Sequence, residues 1–322
     1  INEVYPTYYP PRKTPKECYE QIIADLTDAE QYAPDNDNSD RTKMTKTVAQ
    51  AILAKVYAEK EVQDYDKVIA YADKVMNTTG VELEDSYETL WGYDETAKDC
   101  MKRNTKEGIL EVHWTTGSGN WETWMYGRQL DNWDYYFTWA KWITPSRDII
   151  NDFDKEGDEV RKNQAIVYYA CTWSNYYPAS NYPFMYKLRS SYNNIYWVRL
   201  ADIILMKAEA EAYKGNLAES AKLVNQIRKR AKLKELTSDK TGSKESMIEA
   251  VLHERRLELA FEGERWFDLC RNNKVEKYLN GIDNRDSGRI RQVKQFDSNS
   301  YLLPIPQTAL DQNTNLEQNP GY

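Results

Sequence analysis

The sequence predicts a mainly α-helical protein, in which a scaffold of tetratricopeptide-like helical hairpins carries a large, loop-rich inserted lobe with a few short strands. Three observations predict this fold class. Alanine-rich helical hairpins lie at residues 45–76 and 205–231, and more than a hundred residues separate them. The stretch between them is rich in aromatic residues but has neither helical nor strand periodicity, which is typical of long loops.

These observations divide the chain into three parts. Residues 1–80 form a helical hairpin scaffold, residues 81–196 form the aromatic-rich inserted lobe, and residues 197–322 form a second hairpin with a C-terminal region. The apolar share of 41% is sufficient for a packed interior and excludes a disordered chain. The net charge of −8 offers no attraction for phosphate backbones and argues against a nucleic-acid partner. No run of eighteen apolar residues is present that could span a bilayer.

The first predicted helix begins at Thr14 and Pro15, which suit the N-cap and first helical positions. It ends before Pro34, where the acidic run of residues 35–40 follows. This run offers oxygen ligands at three EF-hand positions. However, Asp40 replaces the turn glycine and Lys46 replaces the bidentate glutamate, so we favour a solvated loop over a calcium site.

Two helical hairpins follow the same pattern. In the first, residues 45–59 and 65–76 are closed by the turn residues 77–80. In the second, residues 205–213 and 218–231 flank the turn at Gly215. Alanines recur at close-packing positions in both, as they do in tetratricopeptide repeats.

Within the inserted lobe, residues 108–114 are a predicted strand, because apolar and other residues alternate there. Aromatic residues then cluster at 121–139 and again at 173–182, among Gly, Asn, Ser and Asp. Such loops lie at the surface, so these rings are candidates for recognition or anchors for their own loops. Trp114 and Trp197 adjoin regular elements and are expected in the core, and Trp266 is expected to be structural.

Zinc and iron–sulfur sites are not indicated, because the thiols and imidazoles are too widely spaced. Spacing alone does not choose among the possible disulfide pairings, and we favour free, buried thiols. The residues concerned are Cys18, Cys100, Cys171, Cys270, His113 and His253.

Residues 244–261 predict a further helix with charged residues in pairs. Arg255 can meet Glu258 and Glu262, and Arg265 can meet Asp268. These pairs could form a solvated face of weak surface ion pairs, each contributing under about 1 kcal/mol. We favour a buried charged network that locks this helix against the C-terminal segment.

Several segments resemble one known family. Residues 254–269, ERRLELAFEGERWFDL, strongly resemble the ERRxELAFEGxRxFDL signature of the SusD/RagB family. The segments YLLPIPQ at 301–307 and NLEQNPGY at 315–322 are similar to the ending of that family. RLADIILMKAEA at 199–210 and the TPS motif that begins at Thr144 also match, in the expected order. The resemblance spans essentially the whole chain and corresponds to the later part of a typical member.

The resemblance implies a SusD-like fold and an outer-membrane lipoprotein of Bacteroidetes that takes up nutrient glycans. Such a protein binds oligosaccharide or polysaccharide at the cell surface and hands it to a SusC-like TonB-dependent transporter, without catalysis and without a cofactor or metal. The lipoprotein signal, the lipid anchor and the first helical stretch of the family are not expected within these 322 residues.

Glycan binding gives the aromatic loops a chemical role. An exposed indole or phenol stacks on the C–H face of a pyranose, and one such contact contributes about 1 kcal/mol for roughly 40 Å² of buried apolar area. Amide and carboxylate groups bind the rim hydroxyls. The candidate aromatic residues are Trp121, Trp124, Tyr126, Trp133, Tyr136, Trp139, Trp173, Tyr176 and Tyr177. The candidate polar partners, chosen by proximity in sequence, are Asn120, Asp131, Asn132 and Asn175.

Two other functions are compatible with the sequence. A glycoside hydrolase could use Asp131 and Asp134, with Glu122 nearby, if two carboxylates lie about 5 to 9 Å apart across the sugar. A tetratricopeptide-type scaffold could instead hold a peptide in its helical grooves. We favour the non-catalytic glycan-binding protein over both.

Overall fold

The computed structural model describes residues 8–97, 99–114, 144–171, 174, 176–190, 192–288, 292 and 294–322. Within these residues the chain is mainly helical, with six short strands that form two-stranded antiparallel sheets. No helix in the described part is long and apolar enough to cross a membrane.

The N-terminal helices begin where the sequence predicts. Helix α1 (Pro15–Tyr32) has a capping box in which the Thr14 side chain accepts from the N–H of Glu17 and the Glu17 carboxylate accepts from Thr14. The first hairpin consists of α2 (Lys46–Ala58) and α3 (Tyr65–Met76), which begin at the caps Thr45 and Asp64. The predicted bounds of this hairpin are confirmed to within a residue.

The lobe contains short elements that pair across long distances in sequence. Its elements are α4 (Tyr87–Trp91), β1 (Tyr93–Asp94), β2 (Asp99–Cys100), β3 (Gly108–Val112), α5 (Arg147–Glu156), α6 (Glu159–Ala165), β4 (Ile166–Tyr169), a 3₁₀ turn (Ala179–Asn181), β5 (Tyr182–Met185) and β6 (Ile195–Arg199). The sheets pair β1 with β2, β3 with β6, and β4 with β5. Because β6 runs directly into the next helix, the β3–β6 sheet joins the lobe to the helical scaffold.

The second half returns to the helical scaffold and then forms the C-terminal region. Its elements are α7 (Leu200–Lys214), α8 (Leu217–Arg230), α9 (Ser238–Thr241), α10 (Lys244–Glu258), α11 (Arg265–Arg271), α12 (Val275–Leu279), 3₁₀ turns (Ile282–Asn284 and Ser298–Tyr301) and α13 (Gln307–Gln312). Helix α7 packs against α2, α3, α8 and α10, so the two hairpins share one core. Val48, Ala72, Val224 and Val251 of that core are completely buried.

The C-terminal tail lies beside the N-terminal segment. The side-chain amides of Asn313 and Asn315 donate to the carbonyl oxygens of Pro10 and Tyr9, at 2.9 and 2.7 Å. Arg12 Nη1 donates to Asn319 Oδ1 at 2.7 Å. The two ends of the described chain are therefore joined by side-chain hydrogen bonds.

The structure corrects the predicted end of one helix. The pattern predicts a helix over residues 244–261, but α10 ends at Glu258. Phe261 has a φ of +67° and Gly263 has a φ of +87°, and these left-handed conformations turn the chain away from the helix axis. The family signature therefore crosses a helix end and a tight turn.

The expectation that Trp197 lies in the core is wrong, because its side chain is 65% exposed. In the β3–β6 sheet, Tyr196 pairs with Glu111 and Val198 pairs with Leu110, which leaves Trp197 as an extra residue on β6. This β-bulge accompanies an indole that lies on the solvent side of the sheet.

All four cysteines are free thiols, as the sequence analysis favoured. Cys100 and Cys171 are buried, whereas Cys18 is exposed, so the expectation of burial is wrong for Cys18. Burial raises the pKa of the Cys100 thiol to about 12 and that of Cys270 to about 11. These two thiols are therefore poor nucleophiles at neutral pH.

Candidate functional site

The C-terminal part of α10 is built around the buried carboxylate of Glu258. Its oxygens accept hydrogen bonds from Arg199 at 2.7 Å, Arg230 at 2.6 Å, Arg161 at 3.2 Å and the Tyr87 hydroxyl at 2.5 Å. Burial alone would raise the pKa of Glu258, but Arg230, Arg199 and Arg161 hold that pKa well below its usual range. A carboxylate enclosed in this way is a structural centre, because a substrate would have to displace its partners.

The favoured buried network is confirmed, but the individual pairs predicted for it are wrong. The predicted partners of Arg255 were Glu258 and Glu262, but Arg255 instead pairs with Asp202 at 2.7 Å and with Asp268 at 2.9 Å. Glu262 instead pairs with Arg199, at 2.6 Å between Nε and Oε2. In the described part of the chain Arg265 pairs with no carboxylate, Asp268 included; its Nη1 donates to the carbonyl oxygen of Leu252 at 3.0 Å.

Most of the predicted glycan-contacting residues lie outside the described residues. These are Trp121, Trp124, Tyr126, Trp133, Tyr136, Trp139, Trp173, Asn120, Asp131, Asn132 and Asn175. The structure does describe Tyr176 and Tyr177 and brings them together on one loop.

Tyr176 and Tyr177 form a fixed pair of rings with the side chain of Arg147, which we call the tyrosine platform. The two ring centroids lie 4.6 Å apart at an interplanar angle of 76°. The guanidinium carbon of Arg147 lies 4.5 Å from the Tyr176 centroid and 4.1 Å from the Tyr177 centroid. These are cation–π distances, and both tyrosines remain half-buried.

Hydrogen bonds hold the tyrosine platform to the surrounding chain. The Tyr176 hydroxyl donates to Asp286 Oδ2 at 2.5 Å, and the Tyr177 hydroxyl donates to the carbonyl oxygen of Pro145 at 2.8 Å. The N–H of Arg147 donates to Asp286 Oδ1 at 3.1 Å. Burial raises the pKa of Tyr177, so its phenol stays protonated and keeps donating at neutral pH.

Further rings continue from the platform towards the β4–β5 sheet. The Tyr177 ring centroid lies 5.9 Å from that of Tyr182, and Tyr182 lies 5.1 Å from Phe184. The Tyr182 hydroxyl is hydrogen-bonded to Thr144 Oγ1, and Thr144 is five residues after Trp139 in the sequence. The described chain therefore resumes at Thr144 beside a ring of the second aromatic cluster.

The residues that hold the tyrosine platform have no recognisable signal in the sequence. Arg147 directly follows the TPS motif, and Asp286 lies in a polar turn with no recognisable pattern. The two are 139 residues apart, so only the folded chain shows that they meet. No group of three or more His, Cys, Asp or Glu side chains that could hold a metal ion is found in the part of the chain that the structure describes.

The helical-hairpin scaffold with its inserted lobe agrees with the fold that the resemblance to SusD-like proteins implies, and comparison with known families gives the same class. The model of the SusD family matches residues 29–322, so the chain belongs to the SusD family. SusD-like protein P2 of Formosa agariphila is 28% identical over 354 aligned positions, which cover 96% of this chain and 66% of that protein. The chain thus spans about two thirds of the length of this relative.

Solved structures confirm the predicted fold class. A SusD superfamily protein from Bacteroides vulgatus superposes with a TM-score of 0.76 at 22% identity, over 98% of this chain and 70% of that one. A SusD-like carbohydrate-binding protein from the same species gives a TM-score of 0.61 at 20% identity, over 80% of this chain and 51% of that one. At these identities the likeness concerns the fold alone.

Proposed function

We propose that this protein binds oligosaccharides at the bacterial cell surface and presents them to a SusC-like TonB-dependent outer-membrane transporter, without cleaving them. Membership of the SusD family supports the role, and one protein of the same fold is named as a carbohydrate-binding protein. A lipid anchor in the outer membrane belongs to the same proposal.

The observation that carries this proposal is the tyrosine platform. Because Arg147, Asp286 and Pro145 already hold the two tyrosines, little side-chain entropy remains to be lost when a ligand binds. Both hydroxyls are engaged in hydrogen bonds, so the partly exposed ring surfaces are the parts that can contact a sugar. A half-buried ring in fixed orientation suits the C–H face of a pyranose.

The aromatic candidates of residues 121–139 and Trp173 remain part of this proposal. Each additional ring that stacks on a sugar would contribute about 1 kcal/mol. Three such rings and a few hydrogen bonds to the sugar hydroxyls, set against the cost of ordering the sugar, give a net binding free energy of about −4 to −6 kcal/mol. This range corresponds to dissociation constants of roughly millimolar to tens of micromolar. Such weak binding allows the ligand to be released to a transporter.

The experiment is a calorimetric titration of the protein with a panel of oligosaccharides, followed by titration of variants with the best ligand. Tyr176→Ala and Tyr177→Ala should each weaken binding about fivefold, which corresponds to the loss of one stacked ring. Tyr32→Ala is the matched control, because Tyr32 is an exposed tyrosine at the end of α1. Equal losses in all three variants, or no loss at Tyr176 and Tyr177, would contradict the proposed site.

The same ligand mixtures test the absence of catalysis. We expect no new reducing ends after prolonged incubation with any oligosaccharide that binds. New reducing ends that disappear in Asp131→Asn or Asp134→Asn would instead assign the protein to the glycoside hydrolases.

A further inference from the structure

A cavity of about 660 Å³ lies beside the turn that follows α10. Four aromatic residues are among its lining residues, and most of its surface is apolar. They are Trp91, Tyr196, Phe261 and Trp266. Both its volume and its lining are typical of binding sites for small organic molecules.

Phe261 is a wall of this cavity and has an unusual backbone conformation. Its φ of +67° lies in the left-handed region, which a bulky residue rarely adopts. Strain of this kind persists only where the surrounding structure enforces it, and it is concentrated at functional sites. Here it turns residues 259–263 so that five consecutive residues line the cavity.

Four basic side chains also line the cavity, and three of them have carboxylate partners. Lys187 pairs with Glu262 at 2.6 Å. Arg255 pairs with Asp202 at 2.7 Å, and Arg256 pairs with Asp148 at 2.8 Å. The positive charges of these three side chains are therefore neutralised within the protein.

The fourth basic side chain, Arg265, has no carboxylate within ion-pair distance in the described part of the chain. It makes a single hydrogen bond, from Nη1 to the carbonyl oxygen of Leu252 at 3.0 Å, and its guanidinium carbon lies 4.7 Å from the Tyr278 ring centroid. Burial, together with the nearby charge of Arg256, lowers the pKa of Arg265 to about 10. An anion bound beside Arg265 would favour the charged guanidinium and so oppose this lowering of the pKa.

We propose that this cavity binds a small aromatic carboxylate, whose ring lies against Trp266 and Phe261 and whose carboxylate accepts hydrogen bonds from Arg265. An aromatic body matches the mostly apolar walls, whereas a sugar would leave several hydroxyls without partners there. A carboxylate matches the geometry and the charge of a guanidinium. None of the three residues of the tyrosine platform lines this cavity, and the proposal does not depend on the proposed glycan function.

The test compares an acid with its neutral counterpart in calorimetric titrations of the full chain. The probes are trans-cinnamate and cinnamyl alcohol, which share the ring and differ in the charged group. We expect the acid to bind about tenfold more tightly than the alcohol, as a charge-assisted hydrogen bond would give. Equal affinities, or no binding of either probe at millimolar concentration, would overturn the proposal.

Variants separate the roles of charge and ring. Arg265→Met should abolish the preference for the acid and leave the affinity for the alcohol unchanged, while Arg265→Lys should retain part of that preference. Trp266→Leu should lower the affinity for both probes by the same factor. Arg12→Met is the control for net charge, because Arg12 lies on the terminal segment and contacts Glu317 and Asn319.

The ratio of the two affinities is measured within each variant, so a partial loss of stability does not affect it. A preference for the acid that persists in Arg265→Met would refute the role of Arg265. If Arg265→Met does not fold, Arg265→Gln removes the same charge and keeps a donor to the Leu252 carbonyl. Oligosaccharide titration of the same variants should be unchanged, which keeps this test distinct from that of the tyrosine platform.

Discussion

The guanidinium of Arg41 binds the oxygen atoms of the acidic loop at residues 35–40. It donates to Asn36 Oδ1 at 2.5 Å, Asn38 Oδ1 at 2.9 Å and the carbonyl oxygen of Gly80 at 2.7 Å, and it is only 2% exposed. The sequence indicated that a calcium loop was incomplete at this point. It did not indicate that a side chain of the protein supplies the positive charge.

Replacing this guanidinium should destabilise the protein. Arg41→Met removes the hydrogen bonds that the guanidinium donates to three oxygen acceptors, and we expect a loss of about 1–3 kcal/mol in the free energy of unfolding. Urea denaturation followed by circular dichroism measures it. Lys43→Met is the control, since Lys43 makes only exposed ion pairs in the same loop, and its effect should be much smaller. Added calcium should leave the Tm of the wild-type protein unchanged, and a clear rise would contradict this account.

At the residue scale, the sequence indicated which side chains are candidates for ligand binding, but it did not indicate which residues surround them. Tyr176 and Tyr177 were selected as candidates because they cluster in a polar loop and because the family resemblance implies glycan binding. The sequence could not select Arg147 in the same way, because its interactions depend on a turn far along the chain. It also placed Trp197 in the core, because a β-bulge depends on the register of the partner strand and leaves no signal in the strand itself.

At the scale of elements, helix starts with a capping side chain were predictable, whereas the start of α7 and the ion pairs were not. The pattern predicts this helix from residue 205, but it begins at Leu200, and the N-cap residue Arg199 makes no side-chain capping hydrogen bond. Caps such as Thr14 and Thr45 are local signals, so the starts of α1 and α2 follow from the sequence.

The predicted partners of Arg255 assumed one continuous helix, in which residues three and seven positions later share a face. The actual partners, Asp202 and Asp268, lie on α7 and α11. Tertiary packing brings these helices against α10, and the sequence of α10 gives no signal of it.

Of the charged side chains on α10, Glu258 should contribute most to the stability of the folded protein. Glu258→Gln keeps the shape of the side chain but removes the negative charge that three buried guanidinium groups share. We expect a loss of about 3–5 kcal/mol in the free energy of unfolding. Glu245→Gln, in the exposed first turn of the same helix, is the matched control and should change the urea midpoint little. A similar loss in both variants would refute a central role for Glu258.

Acid sensitivity should follow from Glu156 at the end of α5. A hydrogen bond from His253, aided by Arg228, lowers the pKa of this carboxyl to about 2 from an ordinary value of 4.5. Since the folded state holds the carboxyl ionised more strongly than the unfolded chain does, its contribution to stability is complete above pH 4.5. That contribution is lost as the pH falls from 4.5 towards 2.

Urea midpoints measured between pH 6 and pH 2 test this assignment. The wild-type midpoint should fall over the acidic part of the range, where other lowered carboxyl groups such as Glu249 contribute as well. In Glu156→Gln the fall should be less steep, because one of the titrating groups has been removed. An unchanged slope would show that Glu156 contributes nothing to the acid sensitivity.

At the scale of the whole molecule, Arg199 connects the scaffold to the lobe. It ends β6 directly before α7, and its guanidinium binds Glu107 at 2.8 Å, Glu258 at 2.7 Å and Glu262 at 2.6 Å. The sequence predicted both helical hairpins and the strand at β3. It did not predict β6 as the partner strand, because pairing across more than eighty residues has no local signal. The shared buried charges favour one cooperative unit over two independent domains.

Hydrogen exchange in the native state can test this coupling. In the wild-type protein, amides of the β3–β6 sheet and of α7 should exchange with similar free energies, as parts of one unfolding unit. Arg199→Met should lower the protection of the sheet more than that of α7. Glu258 and Glu107 keep Arg230 as a partner in this variant, so the loss of protection should be concentrated at the end of β6.

Lys207→Met is the control. It removes an ion pair between Lys207 of α7 and Asp73 of α3, and it should lower the protection of the sheet and of α7 by similar, small amounts. If Arg199→Met lowers protection equally in the sheet and in α7, the arginine stabilises the fold as a whole and does not act as the specific connection between its two parts.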